Sequence, residues 1–224
     1  MKIPANLSRR RVLAGGLGVA GALGVAGSGL LGTAFADTSE AGRVSLNGWP
    51  VVPEVPSFPV EGSDLTVAVL PGDVATTLLH CARRFCYELG GSLAPGDITG
   101  HTTDRAVAAG YESNHLSGTA ITIRQSAYPL GAAGGFFPQE LVVVRDILAE
   151  CEGVVRWGGD LSPVKESHLQ IDVPPGDERL RRVAAKIAGW RLEPGAGAGG
   201  DLDPFTEPRR ATARLLERVQ RRAR

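Results

Sequence analysis

Two histidines stand in short polar segments that could bring metal chemistry to one place. His115 lies in a turn before an alternating apolar stretch, and His168 opens another such stretch further along the chain. Imidazole nitrogens on neighbouring strand edges can share a metal ion, and a catalytic zinc site adds a third protein ligand and an open position for water. A carboxylate near that water then acts as general base. Spacing alone supports such a site only weakly, because a single histidine is more often structural or exposed.

Predicted helices and predicted strands surround these two segments and must position the histidines. Apolar residues repeat at helical spacing in four stretches and form four shorter strand-like runs. The predicted helices cover residues 74–89, 138–150, 177–189 and 211–222, and the predicted strands cover 65–70, 119–124, 154–157 and 169–173. Both kinds of element around one core predict an α+β domain, a small antiparallel sheet with flanking helices.

The N-terminal segment predicts export. Residues 1–36 hold cations at Lys2 and at 9–11 and no acidic residue, then a Gly/Ala-rich apolar stretch and the small-x-small sequence Ala34-Phe35-Ala36. These are the three parts of a secretory signal, and the paired arginines are typical of the twin-arginine route. The alternative, a membrane anchor, is disfavoured because the glycines make the stretch weakly hydrophobic. We therefore expect an extracellular, cell-wall or periplasmic protein that meets the membrane only through this signal.

Charge excludes one class of partner. Without the four cations of the signal, 20 Lys and Arg face 24 Asp and Glu. Seven of those arginines lie in residues 206–224, so the body that precedes them is strongly acidic. Nucleic-acid binding depends on neutralising phosphates, so we expect no nucleic-acid partner. We expect a monomer, and the basic helix at the end is either solvated or bound to an anionic polymer or membrane surface.

Three cysteines remain after the signal, at Cys81, Cys86 and Cys151. An oxidising compartment permits one disulfide and leaves one thiol. Cys81 and Cys86 are five apart on a predicted helix, which turns their side chains about 140° apart. A bridge would therefore involve Cys151. The alternative is that all three are small buried apolar residues.

The two histidine segments resemble the zinc peptidases of the D-alanyl-D-alanine carboxypeptidase type, which include L-alanyl-D-glutamate endopeptidases. The matching residues are Ser113, His115, Gly118 and Ala120 in the first motif, and Trp157, Gly158, Gly159, Asp160 and His168 in the second. The resemblance spans roughly residues 44–173. It implies a hedgehog-like α+β fold, a His-Asp-His zinc site and cleavage of peptidoglycan stem peptides next to D-amino acids.

Composition and resemblance together give a domain map. The signal peptide covers 1–36, an irregular arm 37–63, the carboxypeptidase-like domain 64–193, a Gly/Pro linker 194–205 and a basic tail 206–224. A basic residue near Arg105 contacts the substrate in relatives, so the resemblance suggests that Arg105 meets a stem-peptide carboxylate.

The sequence departs from the family pattern at two positions, that of a metal ligand and that of the catalytic acid. Thr122 stands where the metal-binding aspartate is expected, which leaves His115 and His168 as metal ligands. Lys165 stands where the catalytic acid is expected, and a cation cannot act as a base at neutral pH unless strongly perturbed. Glu166 is the substitute candidate for that role, but a shift of one residue on a strand entry points a side chain to the opposite side.

Three interpretations follow. An active zinc peptidase would recruit a substitute ligand such as Asp160, Glu166 or Asp172. A pseudoenzyme would keep the groove and bind cell-wall peptides or regulate a hydrolase. A structural envelope protein would merely have inherited the fold. Metal content separates the first from the second, because an active enzyme holds about one zinc per chain after dialysis.

Overall fold

A computed structural model describes residues 43–91, 93–193, 195–200 and 202–222. The predicted signal peptide lies outside the described residues. The helices are α1 (Asp73–Glu88), α2 (Pro138–Glu150), α3 (Glu178–Trp190) and α4 (Glu207–Arg222). The strands are β1 (Ser57–Pro59), β2 (Thr66–Ala68), β3 (Ile98–Thr99), β4 (Ala120–Ile123), β5 (Val155–Trp157) and β6 (His168–Ile171). No helix in these described ranges is long and apolar enough to cross a bilayer.

The strands form two small antiparallel sheets, which confirms the α+β class. β1 pairs with β2, and the larger sheet has the order β3-β4-β6-β5. All residues of β4 and β6 are buried, since α1 packs on one face of the pair and the segment around Asn114 and His115 covers the other. In the central pair, Thr122 lies directly opposite His168. The register therefore brings the second histidine beside the position where the first motif ends.

The segment before β1 is integrated into the domain, although the sequence predicts an irregular arm. Asn47 donates from its side-chain amide to the Thr119 hydroxyl and to the Ile171 carbonyl, both at 2.8 Å. The Trp49 indole donates to the Val173 carbonyl at 2.7 Å. These bonds tie the arm across the end of the central strand pair. β1 lies within the predicted arm and is only three residues long, so it leaves little trace of strand period in the sequence, whereas β2 lies within the predicted strand 65–70.

The C-terminal helix packs on α2, and it starts four residues earlier than predicted because Pro208 suits the first helical turn. The Arg209 guanidinium donates to both oxygens of Asp146, at 2.8 and 2.6 Å, and to Glu150 at 2.6 Å. The Gln220 amide donates to the Val155 carbonyl at 2.8 Å. Since β5 is an edge strand, that bond covers an otherwise open ladder position. The basic tail is thus packed on the domain through these contacts, while most residues of its helix are exposed to solvent.

Candidate functional site

His115 is positioned by a tight turn. It ends a 3₁₀ helix over Gly110–His115, and Gly118 follows with φ +68°. A Cβ on Gly118 would lie 2.8 Å from the backbone nitrogen of Leu70, whose N–H donates to the Gly118 carbonyl. Only glycine allows this close approach in a left-handed conformation. Ser113, another motif residue, closes the 3₁₀ turn through its hydroxyl, which donates to the Gly110 carbonyl at 2.7 Å.

The structure brings the two histidines together. His115 Nε2 lies 3.3 Å from His168 Nδ1, and the rings meet at 69°. The Thr122 hydroxyl lies 3.2 Å from the same His115 nitrogen. His168 is fully buried and His115 is nearly so.

The hydrogen-bond network assigns the tautomers of both rings. His115 Nδ1 donates to the Gly100 carbonyl at 2.8 Å, so its Nε2 carries a lone pair. His168 Nε2 donates to the Gln170 side-chain oxygen at 3.0 Å, so its Nδ1 also carries a lone pair. Asn114 donates to that same oxygen at 2.9 Å, which fixes the orientation of the Gln170 amide. Two acceptors therefore face each other, and the Thr122 hydroxyl is the donor within reach of one of them.

Burial keeps both rings neutral. Desolvation lowers the pKa of His115 to about 4. Desolvation also holds the pKa of His168 well below its ordinary value, and the His115 and Lys165 charges act in the same direction. At neutral pH the pair thus offers two uncharged nitrogens rather than an imidazolium.

The geometry of the pair matches part of a zinc site. Zn–N bonds of about 2.0–2.1 Å in a tetrahedron separate two nitrogens by about 3.3 Å. The group beside the pair is the neutral Thr122 hydroxyl, 3.2 Å from His115 Nε2, and not a carboxylate. Among the described residues, no three His, Cys, Asp or Glu side chains converge as metal ligands. The donor set is one anionic ligand short and does not fit a catalytic zinc centre.

The acidic residues that the sequence offers as substitute ligands are engaged elsewhere. Asp160 is buried and ion-paired with Arg145. Asp172 pairs with Arg156 at 2.9 Å. The Glu166 carboxylate accepts the N–H groups of residues 134 and 135 at 2.9 and 2.8 Å. The interpretation in which one of them replaces the missing aspartate is not supported by their positions, and Glu166 does not face the histidines as a general base would.

Lys165 lines the same cleft as His115 and Thr122. Its ammonium is buried and donates to the Glu112 carboxylate at 2.7 Å and to the Gln125 side-chain oxygen at 3.4 Å. The second Glu112 oxygen accepts the backbone N–H of Ala108 and Ala109. Burial alone would raise the pKa of Glu112, but Lys165 and these amides lower it overall. A buried, paired cation thus stands next to two neutral imidazoles.

An open cleft gives access to this arrangement. The cleft has a volume of 410 Å³ and is lined in part by His115, Thr122 and Lys165. A cavity of 640 Å³ adjoins it and shares Lys165, Glu112 and Gln125. Arg105 is exposed in the loop that forms one wall, between two residues that line the cleft, and its carbonyl accepts from Val107.

Sequence reasoning missed three residues that shape the site. Glu112 and Gln125 hold Lys165, and Gln170 fixes the His168 tautomer. Gln170 sits two positions after His168, so its place on the same strand face was available from the alternation. Glu112 is 53 residues from Lys165, and no local pattern connects them.

The second motif supports the site from behind. The Trp157 indole donates to the Glu166 carbonyl at 2.6 Å. A Cβ on Gly158 would meet the Lys165 carbonyl oxygen at 2.1 Å, so this position admits only glycine. The motif therefore fixes the backbone that presents Lys165 to one side and Glu166 to the other.

No family model, curated protein or solved structure matches this chain.

Proposed function

We propose that the chain is an exported, catalytically inactive domain of the D-alanyl-D-alanine carboxypeptidase type that binds peptidoglycan stem peptides without cutting them. One observation carries the proposal: of two consecutive residues, the cation faces the cleft and the carboxylate faces away from it, which is the reverse of what hydrolysis needs. The Lys165 ammonium faces the histidine cleft, whereas the Glu166 carboxylate is bound by backbone amides away from it. A cation where the reaction needs a base favours binding of an anionic ligand over proton abstraction.

The cleft chemistry suits a peptide that carries carboxylates. An ammonium has three N–H donors, and Glu112 takes one of them at 2.7 Å. The contact to Gln125 is long at 3.4 Å, which leaves donor capacity for a ligand. The two adjoining cavities provide room for an extended chain. The predicted twin-arginine signal would deliver the protein to the compartment that contains stem peptides.

The first test measures binding and cleavage on the same material. We expect purified muropeptides to bind in calorimetry and to remain intact by mass spectrometry after long incubation with added zinc. Lys165→Gln should weaken binding about tenfold or more, because the ligand carboxylate loses a charged hydrogen bond from a buried ammonium. Lys186→Gln, on α3, is the matched control and should bind normally. Unchanged binding by Lys165→Gln would contradict the proposal.

The second test restores the missing ligand. We expect the wild type to lose zinc on dialysis and Thr122→Asp to retain it, because a carboxylate then completes the set with His115 and His168. Cleavage should return only when a base is also supplied, by Lys165→Glu combined with Glu112→Gln to avoid two facing carboxylates. A wild type that keeps zinc and cleaves muropeptides, while His168→Ala does not, would refute the inactive assignment.

The second candidate function is zinc-dependent hydrolysis of the same peptides. The observation that favours it is the 3.3 Å separation of two ring lone pairs, which is the spacing of two zinc-bound nitrogens. Its weakness is that Thr122 adds no charge beside the histidines and that Glu112, a carboxylate of the cleft, is already paired with Lys165. Zinc content and muropeptide cleavage by the wild-type chain decide between the two candidates.

A further inference from the structure

A second pocket lies between α2 and α4, away from the histidine cleft. It has a volume of 360 Å³ and is walled by the two helices, by Trp157 and by Glu166. Glu166 contributes here whereas its neighbour Lys165 lines the cleft, so the two cavities flank the same short segment. The size falls within the range of small-molecule sites.

The floor of this pocket is apolar. Leu141 and Val142 contribute from α2 and Ala213 from α4, and the Trp157 ring forms the inner wall. Trp157 is 4% exposed, and the Arg145 guanidinium covers its ring at 4.9 Å from the centroid. Moving a hydrocarbon group from water onto such a floor is favourable, because apolar surface is removed from water.

The rim of the pocket is mainly cationic. Its charged residues are Arg145, Arg210, Arg214, Arg221, Glu166 and Glu217. The Glu166 carboxylate is already bound by two backbone amides. Three of the arginines have acidic partners: Asp160 for Arg145, Glu207 for Arg214, and Glu217 for Arg221. Arg210 has no carboxylate within ion-pair distance in the part of the chain that the structure describes.

We propose that this pocket binds a small organic anion, a carboxylate or phosphate head on an apolar body of about eight carbons. The apolar body would lie on Val142, Leu141 and Trp157, and the head would pair with Arg210. The half-exposed Arg214 can turn to the same head, since its surface pair with Glu207 contributes little. The unpaired Arg210 favours an anionic head over a cationic one, and the apolar floor favours an amphiphile over a bare inorganic ion.

The test is a titration of the ¹⁵N-labelled chain followed by NMR. Sodium octanoate and n-octyl phosphate are the probes, and the tighter of the two identifies the preferred head group. Inorganic phosphate supplies the charge alone, 1-octanol the chain alone, and octylammonium the opposite charge. We expect saturable shifts at the Trp157 indole and along α2 and α4 with the two anions only, and weaker binding at high salt because the head is near the surface.

Two variants locate the ligand. Arg210→Gln should raise the dissociation constant about threefold or more, because it removes the unpaired charge. Val142→Trp should abolish binding by filling the pocket. Arg182→Gln, an exposed arginine on α3, is the control and should bind as the wild type. Equal affinity for 1-octanol, shifts centred elsewhere, or an unchanged constant in both pocket variants would overturn the proposal. Muropeptide binding at the cleft is measured separately, so the two proposals fail independently.

Discussion

The buried contact between Cys81 and Cys151 predicts a stabilising disulfide. Their sulfur atoms lie 3.5 Å apart, and the two residues are 70 positions apart in the chain. Cys86 is also buried but has no part in this contact. Loop-closure entropy for a loop of this length predicts a stabilisation of about 4 kcal/mol, less any native strain. For a domain of this size that corresponds to roughly 10 °C in the melting temperature.

The assay refolds the chain with glutathione disulfide and compares it with a reduced sample. Each thiol loses a proton, one S–S bond forms, and two electrons reduce the oxidant to two glutathione thiols. We expect one free thiol instead of three, a Cys81–Cys151 peptide in the digest, and a reductant-sensitive rise in melting temperature. Cys151→Ala should abolish the rise, whereas Cys86→Ala should keep it. Three free thiols after oxidative refolding, or a melting temperature that reductant does not change, would refute the reasoning.

Three further predictions concern stability. Arg209→Gln should cost about 1.5–3 kcal/mol in urea denaturation, because it removes charged hydrogen bonds to Asp146 and Glu150 while Arg84 still pairs with both. The exposed Arg218→Gln on the same helix should change stability by less than about 0.5 kcal/mol. Although burial opposes ionisation, a histidine and two arginines lower the pKa of Glu150 to about 2. Glu150 therefore contributes about 3 kcal/mol to the free energy of unfolding above pH 4.5, and this contribution is lost as the pH falls toward 2. In Glu150→Gln the free energy of unfolding should depend less on pH over that range. Gly158→Ala should cost about 2–3 kcal/mol by collision with a backbone carbonyl, whereas Gly189→Ala, which meets open space in α3, should stabilise by about 0.5–1 kcal/mol in thermal melts.

The helices and central strands were predictable because the spacing of apolar residues within each segment is enough to indicate them. The α2 prediction of 138–150 agrees with the structure, and α1 and α3 differ by one residue at each end. β3 was missed inside a predicted loop, since two residues cannot display an alternation. The packing of α4 was missed for a different reason. Arginine-rich sequence predicts a solvated surface, and only the fold reveals that Arg209 meets carboxylates on α2.

Of the candidate site, the sequence could predict that the two histidines lie close together, but not the contacts that orient their rings. Two motifs in order predicted that His115 and His168 would be neighbours, and the antiparallel register of β4 and β6 brings them together. The sequence offered Glu166 as the general base although the shift of one residue points it to the opposite side, and in the structure its carboxylate accepts backbone N–H groups away from the cleft. The tautomer of His115 depends on the Gly100 carbonyl, and that of His168 on the Gln170 amide, which Asn114 orients. No sequence pattern predicts contacts of this kind.

The buried Lys165 ammonium is stabilised by the groups around it. Burying an unpaired ammonium would cost several kcal/mol, and removing one member of a buried pair costs about 3–5 kcal/mol. Glu112 neutralises Lys165 while its second oxygen organises the loop at 108–109, so the pair also shapes the entrance of the cleft. Replacing Lys165 by an acid alone would set two carboxylates against each other and disorder that entrance. The positive charge of the cleft is therefore fixed by its own wall, as the proposed binding of an anionic peptide requires.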